Sequence, residues 1–169
     1  TAGHYISAYA AGVVVGAPAF AIAFAKAPRK GLLMGLMALF AVANTASFFA
    51  VTYPALMVTR FVSGLPHGAY FGIAMLLAAS LVEERRRTWA VAMILAGLGI
   101  ANVVGVPLGT WVGQHLGWGL PFVGVGALAT LTVLAVARWV PKQASVAGAS
   151  PLDELRALQA GPLPHPERV

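Results

Sequence analysis

The chain has 169 residues, of which 59% are hydrophobic and only 9% are charged. A soluble domain carries about 25% charged residues, so this composition leaves too little polar surface for a water-soluble globule and predicts lipid as the main solvent. The net charge is +6 and cysteine is absent, which excludes disulfides and thiolate metal sites.

Five apolar runs follow one another, each near the ~20 residues that a helix needs to cross the hydrocarbon core. They extend over about residues 5–24, 32–51, 55–82, 89–112 and 120–140. We therefore predict an all-α fold, a polytopic membrane helical bundle over residues 1–142. Residues 143–169 contain one short amphipathic segment and a proline-rich end, which predict a cytoplasmic linker and a disordered tail.

Basic residues mark alternate connections between the runs. They are Lys26, Arg29 and Lys30 after the first run, the arginines at 85–87 after the third, and Arg138 and Lys142 at the end of the fifth. Because cytoplasmic loops carry an excess of Lys and Arg, this pattern predicts a multi-pass protein of the cell membrane with its N-terminus outside and its C-terminus in the cytoplasm. Cations at these positions favour membrane topology over a nucleic-acid partner.

The third run carries an arginine and a histidine, Arg60 and His67, within its apolar length. Seven residues are close to two helical turns, so both side chains lie on one face, with Gly64 between them. An arginine at the centre of a membrane helix costs about 2.5–3.5 kcal/mol on the insertion scale and is normally aimed at a bundle interior or a water-filled cavity. Since a guanidinium keeps its proton, Arg60 needs acceptors, an acid from elsewhere or an anionic ligand.

The other polar groups inside the runs leave two interpretations open. His67 is either a neutral histidine held by neighbouring helices or a group that handles substrate or protons. Asn44 and Asn102 fit either interhelical hydrogen bonds or a binding cavity. All five acidic residues lie outside the runs, and the motifs of metalloproteases and nucleotide-binding loops are absent. The sequence thus predicts no enzyme, no cofactor and no metal site.

The fourth run has a small residue at every fourth position, which we call the small-residue stripe: Gly97, Ala101, Gly105, Gly109 and Gly113. Such spacing predicts a groove that lets two helix backbones approach closely. Pro107 lacks an N–H and leaves the carbonyl of Val103 without its helical partner. A packing seam and a flexible pivot between helices both fit this pattern. Further prolines inside the first and third runs favour bent helices around a cavity.

These features resemble the major facilitator superfamily. The likeness is closest to its drug:proton antiporter branch, the arabinose-efflux-permease-like and chloramphenicol-resistance-type exporters. It rests on the order of the basic loops, on the pattern Arg60-x-x-x-Gly64-x-x-x-Gly68 and on the glycine- and proline-rich fourth run. Residues 7–18 look like the second helix of those proteins, and residues 63–68 look like the fourth. The resemblance implies that the five spans are helices 2–6 of twelve, most of an N-terminal half that lacks helix 1.

The resemblance also implies roles for single residues. Arg60 matches the fourth-helix arginine that the family links to proton transfer, and Gly64 and Gly68 belong to the same motif. The fifth-helix antiporter motif falls on Gly105, Pro107 and Gly109, and the cytoplasmic loop motif between helices 2 and 3 falls on Lys26, Arg29 and Lys30. The acidic position of that loop motif is Ala25 in this chain.

The function implied by the resemblance is proton-coupled efflux of small molecules, such as drugs or sugars, by alternating access. Its partners would be the lipid bilayer, the substrate, protons, and the missing helix 1 with the C-terminal half or a second subunit. Two alternatives remain open at this point. One is a truncated, non-transporting membrane protein that only assembles with partners, and the other is a half-transporter that acts as a parallel homodimer.

Overall fold

The structure, a computed structural model, describes residues 2–24 and 27–141. Its helices are α1 (Ala2–Ala23), α2 (Arg29–Phe48), α3 (Tyr53–Ser80), α4 (Arg87–Ile100), α5 (Val106–His115) and α6 (Leu120–Trp139). A short 3₁₀ turn, Glu84–Arg86, precedes α4, and a π-helical segment, Ala101–Gly105, joins α4 to α5. Lys26, Lys142 and the predicted tail lie outside the described residues.

Five helical segments are long and apolar enough to cross a membrane, because the 3₁₀ turn, α4, the π segment and α5 form one continuous span, Glu84–His115. The described residues contain no strand. The prediction of an all-α membrane bundle with five spans is therefore confirmed.

The starts of α2 and α3 differ slightly from the apolar runs. Arg29 and Lys30 are the first residues of α2 rather than part of a basic turn, since Pro28 ends the preceding connection. In α3, the Thr52 hydroxyl accepts a hydrogen bond from the amide of Ala55 at 3.3 Å, and Pro54 lies in the first turn. Both are common helix N-terminal signals, and they extend each helix beyond its apolar residues.

The contact between α1 and α3 depends on glycines. A Cβ added to Gly12 would fall on the carbonyl oxygen of Phe61, and a Cβ added to Gly64 would fall on the carbonyl oxygen of Tyr9. The two backbones thus touch directly, as small residues permit in membrane helix pairs. The close approach holds Tyr9 of α1 against the polar face of α3.

Helix α2 lies between α3 and α6 and is tied to α6 near its first turn. The Lys30 ammonium donates to the carbonyl oxygens of Ala137 and Val140, at 2.8 and 2.5 Å. The last carbonyls of a helix have no partner within the helix, and a cation there is also favoured by the helix dipole. Lys30 therefore caps α6 and places the start of α2 beside the end of α6.

The fourth span is irregular and the least covered part of the bundle. Ala90 is the one buried residue in α4, the π segment and α5. The π segment ends just before Pro107, whose ring would clash with the carbonyl four residues earlier in a regular α-helix. A wider turn relieves this clash, so the irregularity expected at Pro107 takes the form of a π-helix.

Candidate functional site

Arg60, the eighth of the 28 residues of α3, lines a groove of about 400 Å³ between α1, α2, α3 and α6. Its Nη2 atom donates two hydrogen bonds, to Asn44 Oδ1 at 2.9 Å and to Ser47 Oγ at 2.7 Å. The guanidinium carbon lies 4.3 Å from the centroid of the Phe122 ring, within cation–π range. The rest of the groove wall is mainly apolar, with Ile6, Tyr9, Phe40 and Val125 among its residues.

The two acceptors of Arg60 are held rigidly by α2. Asn44 and Ser47 are three residues apart, so they share one helix face, and they are only 2% and 0% exposed. Asn44 Nδ2 donates to the carbonyl of Phe40 at 2.8 Å, and Ser47 Oγ donates to the carbonyl of Ala43 at 2.9 Å. The hydroxyl of Ser47 and the amide nitrogen of Asn44 thus donate within α2, while their side-chain oxygens accept from Arg60.

The charge of Arg60 has no counter-ion on the described helices. Across residues 2–24 and 27–141 the acidic residues are Glu83 and Glu84, and both lie at the connection between α3 and α4. The Nε atom of Arg60 is also buried without a hydrogen-bond partner in the part of the chain that the structure describes. The groove therefore presents a cation with neutral acceptors and an unused donor, an arrangement suited to an acceptor or anion from elsewhere.

His67 lies further along α3 in an aromatic environment. Its ring centroid is 5.6 Å from that of Tyr9, 6.0 Å from that of Phe40 and 5.0 Å from that of Phe71. It lines a second cavity, of about 150 Å³, between α2 and α3. The neighbours of His67 on the described helices are rings rather than the hydrogen-bond partners that a purely structural histidine would need.

The two cavities share a wall. Phe40 lines both of them, and Tyr9 lines the Arg60 groove while its ring meets His67 edge-on. Sequence periodicity predicts Arg60 and His67 on one face of α3, and the structure places them in adjacent compartments separated by two aromatic side chains.

Three residues that contact Arg60 or His67 are not among the site residues predicted from the sequence: Ser47, Tyr9 and Phe122. Ser47 could have been included, because its spacing of three from Asn44 predicts a shared helix face. Tyr9 and Phe122 gave no such signal, since their positions depend on how α1 and α6 pack against α3.

The other predicted residues are dispersed. Asn102 is exposed and its Nδ2 donates to the carbonyl of Leu98, in the turn before it, at 2.9 Å, away from the groove. A Cβ built at Gly68 would lie 3.0 Å from the Cβ of Ala17, so Gly68 belongs to the contact of α3 with α1. Arg29 is in the first turn of α2, and Lys30 caps α6.

The small-residue stripe divides into a contacted end and an open end. At Gly109 and Gly113 an added Cβ would come within 4.0 and 3.5 Å of Pro121 in α6. At Gly97 and Gly105 an added Cβ would meet no atom of the described residues within 4 Å. A packing role for this open end stays a prediction.

Comparison with known proteins identifies the family. The sequence model of the Major Facilitator Superfamily matches residues 1–163. The chain belongs to this superfamily. Among its curated relatives is the inner membrane transport protein YdhP of Escherichia coli (strain K12), which is 39% identical over 150 residues, or 89% of the chain and 38% of YdhP.

Two further relatives of this major facilitator chain are similar over most of its length. The putative transporter AraJ of Escherichia coli (strain K12) is 37% identical over 140 residues, 83% of the chain and 36% of AraJ. A chloramphenicol resistance protein of Streptomyces lividans is 34% identical over 163 residues, 94% of the chain and 42% of that protein. The chain thus spans about two fifths of the length of the curated relatives it matches. The resemblance to drug-efflux members of the superfamily is confirmed.

Proposed function

We propose that this chain takes part in proton-coupled efflux of small molecules by alternating access, with Arg60 on the transport pathway. The observation that carries this proposal is the Arg60 guanidinium, which is held in an apolar groove by Asn44 and Ser47 and keeps an unpaired, buried Nε. Charged groups inside membrane-spanning segments mark substrate and ion pathways. A chloramphenicol resistance protein among the relatives supports export as the direction and drug-like molecules as the cargo.

Proton coupling requires a second group besides Arg60. A guanidinium stays protonated, so Arg60 supplies a constant positive field rather than a transferable proton. The proton is carried either by His67, whose imidazole can accept a proton, or by a carboxylate outside the described residues that pairs with Arg60. When such a partner changes its charge, its attraction to or repulsion from Arg60 changes as well, and the balance between two helix arrangements shifts. Each proton that moves inward releases about 2.3 kcal/mol per 100 mV of membrane potential.

The proposal also covers the orientation of the chain in the membrane and the helices that pack against it. Lys30 at the start of α2 contacts the end of α6, which carries Arg138, so two basic clusters share one end of the bundle. This supports a cytoplasmic position for that end and an external N-terminus. The open end of the small-residue stripe supports packing against further helices, on the same chain or on a second subunit.

The test is a transport assay on the protein expressed from its complete open reading frame. Reconstituted vesicles are assayed with and without a pH gradient, using a panel of neutral drugs and sugars that begins with chloramphenicol. Arg60→Ala should reduce gradient-driven transport to the level of empty vesicles while the amount of inserted protein is unchanged. Arg138→Ala, which removes an exposed arginine from the end of α6, is the matched control and should transport normally.

Three results would contradict the proposal in different ways. Wild-type rates in Arg60→Ala would remove Arg60 from the pathway. Transport that ignores the pH gradient would refute proton coupling. A wild-type protein that inserts but transports no member of the panel would favour the alternative of a membrane protein that only assembles with partners.

A further inference from the structure

The His67 cavity has the size and lining of a site for one aromatic ring. Its volume is about 150 Å³, and an apolar cavity of this size accepts a benzene-sized molecule. Met37, Phe40 and Phe71 form its walls, and no charged side chain of the described residues lines it. A ring placed there would meet the aromatic walls at the 4.5–7 Å centroid spacing that such pairs prefer. His67 and Tyr70 are its polar groups, so a ring bearing one hydrogen-bonding substituent would also fit.

The Arg60 groove selects for a different kind of group. Arg60, the charged residue of the groove, is a cation that accepts no hydrogen bond, and its Nε is unpaired. The groove therefore favours ligand groups that are neutral acceptors or anions. The described helices offer no carboxylate to a positively charged ligand. An organic cation bound there would be repelled by Arg60 in a poorly screened environment.

The spacing of the two residues relates the two compartments. Arg60 and His67 are seven residues apart on α3, which corresponds to about 10 Å along the helix axis at 1.5 Å per residue. Tyr9 and Phe40 form the partition between the compartments. Aromatic side chains turn by rotation about two bonds, so a modest reorientation of either ring would join the spaces.

We propose that the Arg60 groove and the His67 cavity form one bipartite substrate site for neutral or anionic aromatic amphiphiles. The aromatic ring enters the His67 cavity, and an acceptor or anionic group about 10 Å away lies against Arg60. This inference rests on the proposed transport function and adds the class of substrate to it. The charge of Arg60 disfavours organic cations of the same shape.

Equilibrium binding to the purified protein, expressed from its complete open reading frame, tests whether the site prefers neutral and anionic ligands to cations. The probes are 6-phenylhexanamide, 6-phenylhexanoate and (5-phenylpentyl)trimethylammonium, which share a phenyl ring, place their polar group roughly 10 Å from it along an extended chain, and differ in charge. The amide and the carboxylate should bind roughly tenfold tighter than the ammonium ion, because the ammonium would lie beside the Arg60 guanidinium in a poorly screened environment. Arg60→Gln, which removes the charge and keeps hydrogen-bonding capacity, should abolish this preference.

Filling the His67 cavity tests the ring compartment. Met37→Trp should weaken 6-phenylhexanamide binding by at least about tenfold, because the larger side chain fills the cavity and even one misplaced methylene costs about 10–200-fold in a hydrophobic pocket. Ala38→Trp is the matched control, since Ala38 is the next residue on α2 and faces outward. Phe71→Leu keeps the wall apolar and similar in volume, and should weaken binding about threefold to tenfold through loss of the ring contact. It provides a second measurement if Met37→Trp does not fold.

The outcomes separate this inference from the proposed function. Unchanged affinity for 6-phenylhexanamide in Met37→Trp and Phe71→Leu, equal binding of the three probes, or no binding of any probe would overturn the bipartite site. Proton-coupled transport that depends on Arg60 would stand in all of these cases. Ring- and charge-selective binding by a protein whose transport ignores the pH gradient would instead support the site and overturn proton coupling.

Discussion

Arg60 of α3 and Phe122 of α6 are in cation–π contact, with the guanidinium carbon 4.3 Å from the ring centroid. The same guanidinium is hydrogen-bonded to α2 through Asn44 and Ser47. One side chain thus joins three helices, and its planar shape is what allows an in-plane hydrogen bond and a stacked ring at the same time.

Arg60→Lys should therefore not preserve function, although it preserves the charge. A lysine ammonium is a compact point charge that cannot reproduce the flat contact with Phe122 and the paired bonds to α2. We expect the transport rate to fall by about tenfold or more, the equivalent of one charge-assisted hydrogen bond of about 1.5–3 kcal/mol. Transport in reconstituted vesicles measures this effect. A lysine variant as active as the wild type would show that charge alone is required.

Ser47→Ala should destabilise the protein by about 0.6–1.7 kcal/mol, the range for interhelical hydrogen bonds in membrane proteins. The substitution removes one of the two acceptors that hold the buried Nη2 of Arg60. Thermal unfolding in detergent, followed by tryptophan fluorescence, measures the loss. Thr132→Ala is the control, because its exposed hydroxyl bonds only to the carbonyl of Leu128 in the same helix. Equal melting temperatures for the two variants would argue against a stabilising role of the Ser47 bond.

Gly12→Ala should separate α1 from α3, because the added Cβ would overlap the carbonyl oxygen of Phe61. Overpacking of this kind costs about 1–3 kcal/mol, and backbone atoms have little freedom to move aside. The control is Gly72→Ala in α3, where an added Cβ meets no described atom within 4 Å. The yield of folded protein and its melting temperature should fall in the first variant only. A stable Gly12→Ala protein would contradict the direct backbone contact.

Lys30→Met should loosen the end of α6. It removes the ammonium that donates to the carbonyls of Ala137 and Val140, and a cation at a helix C-terminus is worth about 0.3–1 kcal/mol. Arg29→Met removes the same charge from the same turn and serves as the control, because among the described residues the hydrogen bonds to the end of α6 come from Lys30. Hydrogen exchange in the last turn of α6 should become faster in Lys30→Met alone. Equal exchange rates in the two variants would show that Lys30 contributes only its charge and does not cap α6.

The parts of this architecture that depend on local pattern could be predicted from the sequence. Apolar length gives the five spans, and helical periodicity places Arg60 and His67 on one face of α3. The partners of Arg60 could be predicted only incompletely, because its hydrogen bonds join α3 to α2. Asn44 and Ser47 precede Arg60 by 16 and 13 residues in the sequence. Lys30 illustrates the same limit. Its charge predicts a basic turn, but its contact with residues more than 100 positions away depends on the packing of α2 against α6.

The π segment Ala101–Gly105 changes the shape of the small-residue stripe. On a regular α-helix, a residue repeated at every fourth position advances about 40° around the axis at each step, because 3.6 residues complete a turn. A π turn contains more residues, so it rotates the stripe backwards in the middle of the span. In a regular α-helix Gly97 and Gly113, sixteen residues apart, would lie about 160° apart around the axis. The π segment reduces this angle, so the two ends of the stripe face more nearly the same side of the span than the sequence spacing alone implies.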